Sequence, residues 1–252
     1  MNHRFFDDEP RDWRELEKLV ALAFHEMRYE VHQDYELTTV RGKVRVDVFA
    51  INRLTPLPTI VICECKYWAK KVSQNVIHSF RTVCADSGSH FGVIVSKKGF
   101  QIGAEESRNS TNVHLLDFTQ FQETFFQEWK TGAFMMMTAM RSQLLPIFRA
   151  QTGRSENGLD VVAKSSLEGV NSFEKYSVFF GLDGSYADYF IHNRLFPQSI
   201  PDPRGDPRVL SRVLVHSHRE YLEIAKEGTL FATKHFGLPD QFIREAKLDP
   251  VD

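Results

Sequence analysis

The sequence predicts a mixed α/β fold in which helices flank one central sheet, followed by a smaller, mainly helical C-terminal region. Over about the first 130 residues, helical and strand patterns follow one another in the order α-β-β-β-α-β-α-β-α. One of the strand patterns is almost continuously apolar, as expected of a central strand that is covered on both faces. The apolar share of 42% and the charged share of 25% are those of an ordinary globular protein.

The first helix is predicted over residues 12–28, with Asp12 as its N-cap and Glu15 in the capping-box position three residues later. Glu17 lies at the edge of the predicted buried face. The apolar side chains that form this face recur at helical spacing: Leu16, Leu19, Val20, Ala23, Phe24 and Met27.

Two strands are predicted next, over 30–38 and 43–52. In the second, apolar and polar side chains alternate with period two, as in a half-buried strand: Val44, Val46 and Val48 against Lys43, Arg45 and Asp47. The segment TIVICECKYW that follows supplies the central strand.

The rest of this half is predicted to contain a helix, a buried strand, a short helix, a strand and a final helix. Their predicted ranges are 72–85, 91–96, 101–108, 112–117 and 119–130.

Beyond residue 131 the pattern changes, because proline and glycine interrupt it repeatedly. A strand is predicted over 175–182 and an amphipathic helix over 208–227. We therefore divide the chain into a domain over 1–130 and a second domain over 131–252, to which we assign oligomerisation or regulation.

The composition gives no global electrostatic indication of a nucleic-acid partner, because 31 Lys and Arg face 33 Asp and Glu. The three cysteines, Cys63, Cys65 and Cys84, are too few for a disulfide framework and suit a reducing compartment. The N-terminal segment lacks the apolar region of a signal peptide, and no apolar run approaches the ~20 residues of a membrane span. We expect a cytoplasmic protein.

The residues that indicate chemistry are Asp47, Glu64 and Lys66. Glu64 and Lys66 lie two apart on one strand and so point to the same face, and Asp47 is on a neighbouring strand. Two carboxylates can hold Mg²⁺ together with phosphate oxygens of a substrate. The alternative is that these residues form an exposed ion-pair face. The apolar run that Glu64 and Lys66 interrupt argues against it, because charged side chains are seldom buried without a partner.

Four segments in the right order resemble the PD-(D/E)XK nuclease superfamily and, more narrowly, an Mrr-like type IV restriction endonuclease domain over residues 10–122. They are LEKLVALAFHEMRYEV, RVDVFA, ECKYW and GVIVSKKGFQIGAEESRNSTNVHLLDF. Two positions depart from the family pattern: Val46 replaces the proline before Asp47, and the preceding glycine-rich turn is reduced to Arg41-Gly42.

The resemblance implies a restriction-endonuclease-like fold and a Mg²⁺-dependent endodeoxyribonuclease, with Mn²⁺ able to substitute, that acts on double-stranded DNA in prokaryotic restriction or anti-phage defence. Asp47 and Glu64 would bind the metal with the Cys65 carbonyl, Glu17 would orient water or fill a second metal shell, and Lys66 would activate the nucleophile. The alternatives are a repair or junction-resolving nuclease, and a catalytically idle nuclease fold that binds DNA or another protein.

A local excess of positive charge supports DNA binding, because residues 41–71 contain seven basic side chains and two acidic ones. Tyr67 and Trp68 are possible stacking surfaces, although packing is the commoner role of such residues. The predicted DNA contacts are Lys43, Arg45, Lys70, Lys71 and Gln74. Because one such site cuts one strand, we expect a homodimer, associated through 131–252.

Overall fold

A computed structural model describes residues 3–105, 111–151, 176, 190–191, 195–202 and 211–236. The chain divides into two compact units between Trp129 and Lys130. No helix in the described part of the chain is long and apolar enough to cross a membrane.

The first unit is built on a five-stranded sheet in the order β1-β2-β3-β4-β5. The pairs β1–β2 and β2–β3 are antiparallel, whereas the pairs β3–β4 and β4–β5 are parallel. This sheet, with helices beside it, confirms the predicted mixed α/β fold. The strands are β1 (Glu30–Thr39), β2 (Gly42–Asn52), β3 (Thr59–Lys66), β4 (Phe91–Ser96) and β5 (Val113–Leu116).

The first of the four described helices that begin in this unit follows a recognisable local pattern. Helix α1 begins after Asp12, whose side chain accepts a hydrogen bond from the Glu15 N–H at 2.8 Å, as the sequence predicts. Its buried face includes Leu16, Val20 and Phe24. The helices are α1 (Trp13–Glu26), α2 (Gln74–Ser87), α3 (Ile102–Glu105) and α4 (Phe118–Gln151).

One face of the sheet packs on α2 through an apolar core that includes Ile62, Ile94 and Phe80. Gly92 on β4 permits this close packing, since a Cβ there would lie 2.4 Å from the Cys84 sulfur. The central strand is thereby held rigidly in the middle of the unit, with its C-terminal end at Lys66.

The alternation of side chains along β2 is broken near Asp47. Val46 and Phe49 are three residues apart, so a regular strand would direct their side chains to opposite faces. Both nevertheless pack in the core against α2. The break lies beside Asp34 of β1, whose φ of 48° is in the left-handed region. The simple period-two prediction for β2 therefore holds only on each side of Asp47.

The second unit differs from the sequence prediction in two of its elements. Helix α4 does not end near 130 but continues to Gln151, through Pro146. The first part of the predicted helix over 208–227 is wrong, because Arg212–Val215 forms strand β7 and pairs antiparallel with β6 (Gln198–Pro201). The predicted strand over 175–182 lies outside the described residues, apart from Tyr176.

A capping box explains where the last described helix, α5 (His218–Phe236), begins. The Ser217 hydroxyl accepts the Glu220 N–H at 3.0 Å, and the Glu220 carboxylate accepts the His216 N–H at 2.7 Å. The helix therefore starts at His218, and the residues before it are free to form a strand.

Candidate active site

Strands β2 and β3 separate where Asp47 and Glu64 would be the next pair. The last paired residues are Val48 and Cys63, so antiparallel register sets Asp47 across from Glu64. Beyond that point the Asp47 carboxylate, and not a β2 carbonyl, accepts the Cys65 N–H at 2.6 Å. In a strand the N–H and C=O of one residue point to the same side, so the Cys65 carbonyl is also directed toward Asp47.

Glu64 and Lys66 form an ion pair at the end of β3, and each side chain is only 17% exposed. Burial and the neighbouring Asp47 raise the pKa of Glu64, although Lys66 opposes this. Burial by itself would lower the pKa of Lys66, but the charges of Glu64 and Asp47 outweigh it and raise that pKa overall. The ammonium of Lys66 is thus held protonated next to two carboxylates.

Glu17 of α1 belongs to the same electrostatic group. Its half-buried position, together with the carboxylates of Asp47 and Asp34, raises its pKa to about 7. The charge of Lys66 lowers the pKa of Glu17, and the charge of Glu64 raises it. The structure therefore brings together all four residues that the resemblance singles out.

Negative charge exceeds positive charge in this group, because among the described residues Lys66 is the cation that opposes the carboxylates in setting the pKa of Glu17 and of Glu64. In the described part of the chain no three His, Cys, Asp or Glu side chains are gathered as a complete metal-binding group. Two carboxylates and the Cys65 carbonyl nevertheless fit Mg²⁺, which binds to few protein oxygens and completes its shell with water and phosphate. The donor chemistry is that of a hard divalent cation.

The predicted DNA contacts fall into two groups. Lys43 and Arg45 are exposed on β2 and already engaged, Lys43 with Glu36 at 2.5 Å and Arg45 with Asp34 at 2.7 Å. Lys70 and Lys71 are exposed in the segment between β3 and α2, and Gln74 is the first, exposed residue of α2. Only this second group directly follows the end of β3, where Glu64 and Lys66 lie.

Asp34 was not among the predicted site residues, yet it raises the pKa of Glu17 and pairs with Arg45. An Asp between Gln33 and Tyr35 could have indicated it, because Asp tolerates the left-handed backbone better than most residues. Tyr67 also has a positioning contact that was not predicted: its hydroxyl donates to the Arg11 carbonyl at 2.6 Å. This bond ties the end of β3 to the segment before α1.

Comparison with known proteins gives a family match to the first unit. A family model described as a restriction endonuclease, the Mrr catalytic type, matches residues 10–125. No curated protein matches the chain. A solved structure titled as a protein of unknown function, AF1548, is 15% identical, with a TM-score of 0.38 over 70% of this chain and 93% of that chain.

Proposed function

We propose that the first unit is a Mg²⁺-dependent endodeoxyribonuclease, because residues 10–125 belong to the Mrr-type restriction endonuclease family, a PD-(D/E)XK-type nuclease family. The observation that carries the proposal is the gap between β2 and β3. There the Asp47 carboxylate binds the Cys65 N–H, and Glu64 pairs with Lys66.

Asp47, Glu64 and the Cys65 carbonyl would hold the metal ion, with Mn²⁺ able to replace Mg²⁺. When bound, the cation lowers the pKa of water and offsets the negative charge that develops on the reacting phosphate. The carboxylates supply hard oxygen ligands, and the hydrogen bond from Cys65 fixes the orientation of Asp47. The two carboxylates and the Cys65 N–H belong to adjacent strands of a packed sheet.

Lys66 would stabilise the nucleophile and the phosphate as a positive point charge. Its pKa is raised, so at neutral pH it keeps its proton and acts by charge. Its position two residues after Glu64 puts it on the same face of β3. A phosphate that approaches Glu64 and Asp47 therefore also meets an ammonium.

Glu17 would orient the attacking water from the side of α1. Its pKa of about 7 allows it to exchange a proton with that water near neutral pH. In the hydrolysis an oxygen–phosphorus bond forms from water, the ester bond of the DNA backbone breaks, and a proton passes to the leaving oxygen. Glu17 is the half-buried carboxyl that the geometry offers beside the two proposed ligands.

Cleavage of plasmid DNA by the purified full-length protein tests this function. With Mg²⁺ we expect nicked or linear products, and none when the metal is chelated. Asp47→Ala should abolish cleavage because a ligand is lost. Lys66→Ala should also abolish it, while calorimetry still detects metal binding. Wild-type rates in both variants would contradict the assignment and leave the catalytically idle module as the better explanation.

The biological setting and the second unit extend the proposal. We assign the enzyme to restriction or anti-phage defence in the cytoplasm, acting on double-stranded DNA, with Lys43, Arg45, Lys70, Lys71 and Gln74 along the phosphate backbone. We further propose that residues 131–252 associate the chain into a two-fold dimer, since two sites are needed to cut both strands at once. A monomeric mass by light scattering, with and without DNA, would contradict the dimer and leave the nuclease proposal intact.

A further inference from the structure

An open cleft lies next to the proposed site, between the end of β3 and the beginning of α2. Its volume of about 710 Å³ lies within the ~300–1,000 Å³ that is usual for small-molecule sites. Its walls combine one aromatic ring, two lysines and two uncharged polar groups, and include no carboxylate: Trp68, Ala69, Lys70, Lys71, Ser73, Val76 and Gln101.

The charge of this cleft favours an anion. Lys70 and Lys71 form no ion pair with any side chain in the described ranges, in contrast to Lys43 and Arg45. Ser73 is the N-cap of α2, but its hydroxyl makes no capping hydrogen bond, which leaves the N–H groups of the first helical turn to other acceptors. Two ammonium groups and a helix N-terminus are a suitable environment for phosphate.

Trp68 gives the cleft an exposed stacking surface. Its side chain is 39% exposed, and the Lys66 ammonium lies 5.6 Å from the centre of its ring. A base that stacks on Trp68 would therefore lie beside Lys66, the ammonium proposed to act at the reacting phosphate.

The backbone holds the walls of the cleft in place. Val72 donates to the Gly99 carbonyl at 3.0 Å, and Gln101 donates to the Val72 carbonyl at 3.0 Å. Val72 itself is fully buried. The segment with the two lysines is thus fixed to the loop that carries Gln101, and the cleft is formed before any ligand arrives.

We propose that this cleft binds an unpaired nucleotide of the DNA strand, next to the bond that is cut. The base stacks on Trp68, Lys70 and Lys71 bind its phosphate, and Ser73 or Gln101 contacts the base edge. A base inside an intact duplex has both faces covered by its neighbours, so it cannot stack on Trp68. The inference rests on the proposed function and sharpens its substrate: DNA with a locally unpaired nucleotide.

Binding without divalent metal separates this inference from catalysis. Fluorescence anisotropy in chelator compares a labelled short duplex with the same duplex carrying one bulged nucleotide. We expect the bulged DNA to bind more tightly by about 5- to 150-fold, the range of a single base-stacking contact. Trp68→Ala should remove the difference and Trp68→Phe should keep most of it. Trp13→Ala is the matched control, because Trp13 is 51% exposed and outside the cleft.

Three results would overturn the proposal: equal affinity for the two DNAs, a preference that survives in Trp68→Ala, or no binding of either DNA.

A competitor distinguishes a site for a free nucleotide from a site in the DNA strand. If millimolar thymidine monophosphate displaces the duplex and the bulged DNA at the same concentration, the cleft binds free nucleotide and the proposal is wrong. If Trp68→Ala melts at a lower temperature than the wild type, Lys71→Glu replaces it and should weaken the bulged complex more than the duplex. Cleavage without a Trp68-dependent preference would contradict the cleft alone. A preference without Asp47-dependent cleavage would contradict the nuclease proposal alone.

Discussion

Two groups of acidic side chains in the first unit differ in burial and in the supply of positive charge. The first group is exposed along β1, and each member has its own basic partner across or beyond the strand: Glu30 with Arg53, Asp34 with Arg45, and Glu36 with Lys43. The second group is half-buried at the gap between β2 and β3, where Asp47, Glu64 and Glu17 share Lys66. Each carboxylate of the first group is thus paired with its own basic side chain, whereas those of the second group share one.

The pKa values record this difference. Hydrogen bonds from Arg53 and Lys43 lower the pKa of Glu30 and of Glu36, whereas burial raises the pKa of Glu64 and of Glu17. A folded protein keeps uncompensated buried charge only when other interactions stabilise it, and such groups concentrate at functional sites. The comparison shows that charge balance, more than the number of carboxylates, distinguishes a candidate site from an ordinary ion-pair edge.

The largest expected difference between the two groups is in DNA cleavage. Glu64→Gln should reduce the rate by a factor on the order of 10²–10³ or more, because it removes one of the two carboxylates that would hold the metal ion at the reacting phosphate. Glu30→Gln makes the same chemical change at the exposed edge, where its partner Arg53 is not a proposed DNA contact, and should leave the rate unchanged. Initial rates on plasmid DNA compare the two variants, and similar losses would show that the groups do not differ in function.

Metal binding should separate the groups through thermal stability. At a Mg²⁺ concentration about 100 times its dissociation constant, the free energy of unfolding should rise by about 2.7 kcal/mol, or roughly 5–10 °C in Tm. Asp47→Ala should abolish this shift, whereas Glu30→Gln should retain it. Calorimetric melts with and without Mg²⁺ make the measurement. A shift that persists in Asp47→Ala would locate the metal elsewhere.

The pH dependence of stability should have opposite signs in the two groups. The folded-state pKa of Glu17 is about 7, above its ordinary value of 4.5, so the folded state binds more protons between these values. Stability should therefore fall as the pH rises from about 4.5 to 7. Glu17→Gln should remove this loss and stabilise the protein at pH 8 by roughly 1 kcal/mol, or about 2–4 °C in Tm.

Melts at acidic and alkaline pH in chelator test this sign. Glu36 has a lowered pKa, so its ion pair contributes above its unfolded pKa and is lost as the pH falls. Glu36→Gln should thus be slightly less stable than the wild type at pH 8 and equal to it in acid. A Glu17→Gln variant that is destabilised at pH 8 would mean that its carboxylate is compensated by a partner.

Local patterns in the sequence predicted most of the first unit. Helical and period-two patterns located the helices and the half-buried strands, and continuous apolar runs located β3 and β4, because each pattern follows how many faces of the element are buried. The break in β2 could not be predicted, since it depends on the left-handed backbone of Asp34 and on the Asp47 side chain that replaces a backbone partner. In the second unit, the four residues of Arg212–Val215 are too few to be distinguished from a helix by pattern alone. The capping box at Ser217 was visible in the sequence and would have given the correct start of α5.

The smallest expected effect concerns the basic residues beside each group. Lys43 and Arg45 must give up Glu36 and Asp34 before they contact phosphate, so part of any gain is lost in breaking those pairs. Lys70 and Lys71 have no such pair with a described residue, and each phosphate contact they make should contribute about 0.9 to the slope of log affinity against log salt. Lys70→Ala and Lys71→Ala should therefore each reduce this slope, whereas Lys43→Ala and Arg45→Ala should change it less. Titration of a labelled duplex over a range of salt concentrations gives the four slopes. If the substitutions on β2 reduce the slope more, DNA lies along the ion-pair edge, and the distinction between paired and unpaired charge does not govern binding.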